Sequence, residues 1–140
     1  MNETIKIYTD GGARGNPGPA AVGAVAYNSQ GEEIWRLSRY IGTATNNIAE
    51  YNALLFALKK LAQKGNCQAV EAFLDSELVV KQLRGEYRVK DEKLKVLFDG
   101  IKHELSNFTS VQFNHVKREQ NKIADSLVNK ALDERVNVRP

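Results

Sequence analysis

Cysteine is almost missing from this chain. Cys67 is the single one, so no disulfide can close within the chain and no cysteine-based zinc cluster can form. No apolar run approaches the roughly 20 residues that span a bilayer. There are three prolines; Pro17 and Pro19 share one short stretch and Pro140 is the last residue. Neither charge sign dominates: 20 Lys and Arg face 17 Asp and Glu, for a net +3. Total charge of that size does not by itself point to nucleic acid. Internal repeats, low-complexity tracts and linkers are also missing. The start, Met1-Asn2-Glu3-Thr4, has neither the basic nor the apolar region of a signal peptide. A cytoplasmic protein with no membrane attachment is expected.

What is present is ordinary globular material. The 140 residues are 42% hydrophobic and 26% charged. Such a length buries roughly 68% of the unfolded surface, enough to fold without staples. One domain over 1–140 is expected, with about 136–140 a loose tail. The charge is unevenly spread. Residues 81–118 hold nine Lys and Arg against five acids, while the remainder carries a net −1. This basic stretch is either a solvated helix surface or part of a binding face.

The periodicity gives the order βββ-α-β-α-α-β-α. Residues 4–10 alternate and are rich in β formers, a strand. Gly11 to Pro19 is dense in glycine and proline and reads as a loop. Strands follow over about 20–28 and 32–42, joined by a turn at Asn28-Ser29-Gln30-Gly31. Three strands with short connections suggest an antiparallel meander. From Asn47 to Lys64 the spacing of Ile48, Tyr51, Leu54, Leu55, Leu58 and Leu61 is helical. Asn46 or Asn47 can cap this helix and Gly65 can end it. A strand over 69–75, helices over about 76–84 and 91–106, a strand over 109–116 and a helix over about 121–134 complete the chain. Strands separated by helices are added in parallel. The fold class is therefore α/β: a five-stranded mixed sheet, three strands antiparallel and then two parallel, with helices on both faces.

Four acids fall at element ends. Asp10 closes the first strand, Asp75 the fourth, and Glu50 and Asp125 sit near the starts of two helices. Parallel strands one and four put Asp10 and Asp75 on one sheet edge, where open α/β sheets bind ligands. Asp75 follows Phe73-Leu74, Asp125 follows Ile123-Ala124, and Glu50 lies between Ile48-Ala49 and Tyr51. Acids in such apolar stretches are rarely buried unless paired or metal-bound. Helix capping explains Asp75 well and Glu50 and Asp125 in part. It does not explain Asp10. If the four converge, their repulsion calls for protons or cations. All-oxygen ligands without cysteine suit a hard cation, Mg²⁺ or Mn²⁺. Two such ions about 4 Å apart can hold the attacking and leaving oxygens of a phosphodiester. The glycine-rich segment adds backbone groups that a ribose or phosphate can approach. It is not a P-loop, because no Gly-Lys-Ser/Thr ends it and it joins strand to strand.

These residues carry a resemblance. Tyr8-Thr9-Asp10-Gly11-Gly12-Ala13-Arg14-Gly15-Asn16-Pro17-Gly18-Pro19-Ala20 resembles the first motif of type 1 ribonuclease H. Thr45-Asn46-Asn47-Ile48-Ala49-Glu50-Tyr51, Leu74-Asp75-Ser76-Glu77 and the stretch from His115 to Asp125 resemble the second, third and fourth. The order holds from about Ile5 to Leu132. The resemblance implies the ribonuclease H fold and hydrolysis of the RNA strand of RNA/DNA hybrids, leaving 5′-phosphate and 3′-hydroxyl ends. It implies that Asp10 bridges two Mg²⁺ ions, that Glu50 and Asp75 hold the ion nearer the leaving group, and that Asp125 helps hold the other. It implies that backbone groups of Gly11, Gly12, Ala13 and Gly15, with Asn16, Asn47 and Glu77, meet the 2′-hydroxyls that mark RNA. Thr45, with Asn16 or Asn46, would face a DNA phosphate.

Two departures from the family pattern stand out. Many bacterial members carry a basic, Trp-rich helical protrusion; here only Gly85 to Lys90 separates the middle helices, and the sole tryptophan is Trp35. The layout resembles compact archaeal-type and related bacterial enzymes. Many members also carry a catalytic His in a loop before the last Asp. Here Arg118-Glu119-Gln120 occupies that region. Arg118 cannot shuttle a proton but can hold a phosphate oxygen, so it joins the four acids as a candidate catalytic residue; the alternative is a solvated loop residue. His115 is read as a structural strand residue and His103 as a helix-surface residue. Two competing functions remain: a hybrid-binding module without catalysis, and a nuclease or transferase of the same fold acting on DNA. Binding alone needs no anionic cluster that repels phosphate, and the Gly11-Gly12 and Asn46-Asn47 motifs favour RNA reading. Double-stranded RNA as a further substrate, and Mg²⁺ against Mn²⁺, are left open. No obligate protein partner is evident.

Overall fold

The computed structural model describes residues 3–63 and 69–137, with the side chains of 136 and 137 left aside. Five strands and four helices follow in order. They are β1 (Thr4–Ala13), β2 (Gly18–Tyr27), β3 (Glu33–Ala44), α1 (Asn46–Ala62), β4 (Ala69–Leu74), α2 (Glu77–Leu83), α3 (Glu92–Glu104), β5 (Ser110–His115) and α4 (Lys122–Asn137). Short 3₁₀ turns lie at Leu105–Asn107 and Arg118–Gln120. The sheet order is β3-β2-β1-β4-β5. β1 pairs antiparallel with β2 and β2 with β3, while β1–β4 and β4–β5 are parallel.

Both sheet faces are covered, as expected. Ile5, Ile7 and Ala72 pack on Leu54 and Leu58 of α1, with Val79 and Leu83 of α2 and Ile101 of α3 in the same core. On the other face Ala21 meets Val128, Ala131 and Leu132 of α4. β2 is therefore buried along nearly its whole length, which is why its sequence is a run of small apolar residues rather than an alternation. No described helix is long and apolar enough to cross a membrane.

Several boundaries differ from the sequence expectations, each for a physical reason. The segment Gly11–Pro19 is not all loop. β1 and β2 stay paired out to Ala13 and Ala20, and the Arg14 amide donates to the Pro19 carbonyl at 2.8 Å. Only residues 14–17 turn. The glycines of this stretch serve close packing: a Cβ at Gly18 would collide with the Arg14 carbonyl oxygen. The cap of α1 is Thr45, whose Oγ1 accepts from the Ile48 amide at 3.2 Å. Neither asparagine caps it, because Asn46 Oδ1 already accepts from the Ala13 amide at 2.8 Å. α4 continues through Asn137, past the expected start of a loose tail, since no glycine or proline interrupts it there. Gly65, the expected stop of α1, Cys67 and the last three residues lie outside the described residues. His115 is exposed, not structural: it is the last residue of an edge strand, past the apolar pair Val111 and Phe113. His103 is exposed on α3, as expected.

Candidate active site

The register of the parallel pair builds the first half of the site. Thr9 aligns with Leu74, so Asp10 and Asp75, the next residues, leave the carboxyl edge side by side. The β4 partner ends there, and β1 runs on for four residues with that edge unpaired.

Two glycines admit the other two acids. A Cβ at Gly11 would collide with the backbone of Ala49 and Glu50. Without one, α1 closes onto β1, and a hydrogen bond from the Gly11 backbone meets the Glu50 carboxylate. A Cβ at Gly23 would collide with the Ala124 carbonyl oxygen and crowd Leu127 and Val128. Gly23 is the β2 residue paired with Asp10, and paired residues project from the same face. The first turn of α4, with Asp125, is thereby seated over Asp10.

Carboxylate oxygens of Asp10, Glu50 and Asp75 lie within 4.8 Å of one another. Asp10 and Glu50 are each only 7% exposed. Burial pushes the Asp10 carboxyl up from 3.8 to about 7; the charges of Asp75 and Asp125 push the same way, while a hydrogen bond with Glu50 opposes them. Glu50 is raised well above the ordinary carboxylate range, mainly by burial and then by the charge of Asp10. One oxygen of Glu50, Oε2, is buried without a hydrogen-bond partner. Asp125 is half-buried and acts on Asp10 by both charge and hydrogen bonding.

The four acids line one cleft of about 430 Å³, together with Gly11, Gly12, Ala13, Arg14, Asn46, Asn47, Ser76 and Arg118. Asn46 and Asn47 also border a second groove of about 760 Å³, shared with Asn16, Thr45 and the start of α3. Asn16 Oδ1 accepts from the Asn46 amide at 3.0 Å, which ties the β1–β2 turn to α1. Gly15 sits in that turn with φ +97°, a left-handed conformation that favours glycine. Glu77 reaches neither space; it is exposed on α2 at 3.6 Å from Lys81. Ser76 is the residue of that motif on the cleft wall, and its Oγ caps α2 by accepting from the Val79 amide.

Asn121 escaped the sequence reading. It is 1% exposed, and its Nδ2 donates to the Thr9 carbonyl at 2.9 Å and to Asp75 Oδ2 at 3.3 Å. Its backbone carbonyl accepts the Asp125 amide at 3.0 Å. One side chain thus ties β1, the end of β4 and the start of α4. The only signal in the sequence is an asparagine just before a helix, which reads as an exposed cap.

Comparison with known proteins agrees with this fold. A family model described as reverse transcriptase-like matches residues 8–131. Ribonuclease HI of Halobacterium salinarum is 42% identical over 130 residues, 93% of this chain and 65% of that protein. A bifunctional protein of Mycobacterium tuberculosis is 38% identical over 92% of this chain but only 35% of its own length. This chain therefore spans between about a third and two thirds of these curated relatives. Among solved structures, LC11-RNase H1, isolated from compost and crystallised with an RNA/DNA hybrid, matches with a TM-score of 0.90 at 46% identity. The match to the hybrid complex covers 94% of this chain and 99% of that one. The RNase H1 of Halobacterium salinarum matches with a TM-score of 0.88 at 40% identity over 94% and 98% of the two chains.

Proposed function

The chain belongs to the type 1 ribonuclease H family, and on that premise we propose that it hydrolyses the RNA strand of RNA/DNA hybrids, leaving 5′-phosphate and 3′-hydroxyl ends. The observation that carries this reading is the convergence of three carboxylates from three elements within 4.8 Å, at an unpaired strand end. The solved complex of a 46% identical relative with an RNA/DNA hybrid supports it.

The residues fit divalent cations. The donor set is all oxygen, Glu50 Oε2 is buried and unpartnered, and Asp10 and Glu50 both resist ionising beside their neighbours. Asp10, Glu50, Asp75 and Asp125 would hold Mg²⁺, with Mn²⁺ as the alternative. Two such ions, when bound, would supply an activated water and neutralise charge on the leaving oxygen. Asp10, placed between the others, is the residue suited to serve both ions.

The chain's own residues do the rest. Past the end of β4, backbone groups of Gly11 to Gly15 suit 2′-hydroxyls, the contact that separates RNA from DNA, with the Ala13 amide already held by Asn46 Oδ1. Asn47 lies on the wall between cleft and groove, where either strand of a hybrid can be met. Thr45, Asn16 and Asn46 border the groove and suit the DNA backbone. Arg118 lines the cleft and can hold a phosphate oxygen where charge accumulates. Glu77 takes part only if its side chain leaves the Lys81 side. A cytoplasmic location remains the expectation from the sequence.

The test is a labelled RNA/DNA hybrid beside RNA/RNA and DNA/DNA duplexes, each with Mg²⁺, Mn²⁺ or EDTA. Cutting confined to the RNA strand of the hybrid, and abolished by EDTA, is expected. Asp75→Asn should lower the rate by several orders of magnitude. Comparable cutting of duplex DNA would overturn the reading.

A further inference from the structure

Among the described residues, two cations border the acidic cleft: Arg118 and Arg14. Arg14 follows the last residue of β1, so it stands at the mouth of the cleft. Its Nη2 donates to Asp133 Oδ1 at 2.7 Å and to Asn129 Oδ1 at 3.4 Å. Asn129 and Asp133 follow Asp125 by four and eight residues, so all three lie along one stripe of α4. At 1.5 Å per residue, Arg14 is held about 6–12 Å along the helix from Asp125.

This pairing is loose. The side chains of Arg14 and Asp133 are 48% and 66% exposed, and exposed ion pairs of this kind contribute little to stability. The acids below make the cleft strongly anionic, yet any phosphodiester bound there must pass them. A guanidinium at the mouth is the group that can offset that repulsion, and it binds a phosphate as a two-pronged charged donor. Its present partner is an exposed carboxylate that a phosphate can replace at small cost.

We propose that Arg14 is a substrate-binding residue whose guanidinium leaves Asp133 for a backbone phosphate of the nucleic acid. With 3.4 Å of rise per nucleotide on one strand, that phosphate lies about two to four nucleotides from the acid cluster. Asp133 is then a built-in competitor that tempers affinity. This rests on the reading that the cleft receives a nucleic acid duplex, but not on which strand is cut.

The two roles open to Arg14 make opposite predictions. If Arg14 only pins the β1–β2 turn to α4, then Arg14→Ala and Asp133→Asn remove the same bond and weaken the site alike. If it binds phosphate, the two substitutions act in opposite directions. The measurement is equilibrium binding of a labelled RNA/DNA hybrid in EDTA, where nothing is cut, over a series of salt concentrations. Melting curves accompany it, with KM and kcat in Mg²⁺. Arg14→Ala should weaken binding by about tenfold and reduce the slope of log K against log salt by roughly 0.7–0.9. Asp133→Asn should tighten binding about threefold, and in the Arg14→Ala background it should change nothing beyond about twofold. Arg14→Lys should keep the slope and recover part of the affinity. KM should carry the effect while kcat stays within about twofold, and melting temperatures should barely move.

Equal weakening by Arg14→Ala and Asp133→Asn would overturn the proposal, as would an unchanged salt slope in Arg14→Ala. A wild-type protein that binds the hybrid with this pattern but does not cut it would refute the enzymatic reading and leave this one standing.

Discussion

Replacing Asp10 by Asn should stabilise the metal-free protein at high pH and destroy its activity. The magnitude follows from the burial of the carboxyl. Asp10 ionises near 7 in the folded protein against 3.8 ordinarily. A group whose folded pKa is raised binds its proton more tightly in the folded state. Its contribution is therefore most favourable below about pH 4, declines between about pH 4 and 7, and is flat above. At about 1.4 kcal/mol per pH unit, the full penalty near pH 8 is roughly 4 kcal/mol. Sharing of charge with Glu50, and relaxation of the cleft, reduce what one substitution recovers to about 2–4 kcal/mol. Asparagine keeps the shape and carries no charge. For a chain of this size that gain corresponds to a melting temperature higher by roughly 5–15 °C. The assay is thermal melting by circular dichroism in EDTA near pH 5 and near pH 8, and again in saturating Mg²⁺. The gain should be largest near pH 8, shrink near pH 5, and narrow in Mg²⁺, which relieves the repulsion in the wild type. A lower melting temperature for Asp10→Asn near pH 8 without metal, or a gain independent of pH, would refute the reasoning.

Arg118→Ala should slow cleavage by roughly ten- to a thousandfold, with partial recovery in Arg118→Lys, because one charged donor near the developing charge is lost; steady-state rates on a hybrid check this. Gly11→Ala should cost about 3 kcal/mol or more in urea unfolding and abolish activity, since the new methyl pushes α1 and Glu50 away from β1. Asn121→Ala should cost about 1–3 kcal/mol by stranding the Thr9 carbonyl. Its turnover should fall as well, because Asp75 loses the bond that orients it, and kcat against KM separates that effect from weaker substrate binding.

The order of elements and the mixed sheet were legible because periodicity is a local signal, and the four acids that line one cleft stood out by their places at element ends. Asp10 and Asp75 could be paired from topology alone, since parallel strands in register must bring their ends together. What the sequence hid was contact between distant elements. Gly11 and Gly18 look like loop residues until a neighbouring backbone is seen to occupy the space of their missing side chains. Asn46 looks like a cap until its oxygen is found on the Ala13 amide, 33 residues away. His115 alternates correctly with Val111 and Phe113, yet alternation does not tell where an edge strand outruns its cover. Glu77 lies two residues from Asp75 but starts a helix that carries it outward, away from the cleft that Ser76 borders.

The site is assembled around a single strand position. Gly11, next to Asp10 in sequence, and Gly23, opposite it in the ladder, face opposite sides of the sheet. Each lets one helix approach closer than any side chain would permit: α1 from one side bringing Glu50, α4 from the other bringing Asp125. The electrostatic cost falls on the acids so gathered, and burial rather than mutual repulsion is its larger part for both Asp10 and Glu50. It follows that relieving the charge and relieving the packing have opposite effects. Neutralising Asp10 relaxes a stressed cluster and leaves the helices docked. Enlarging Gly11 leaves every charge in place and breaks the docking. The same cleft therefore yields one variant that is inactive and more stable and another that is inactive and less stable. That pairing is expected only if close helix approach, and not attraction among the acids, holds the site together.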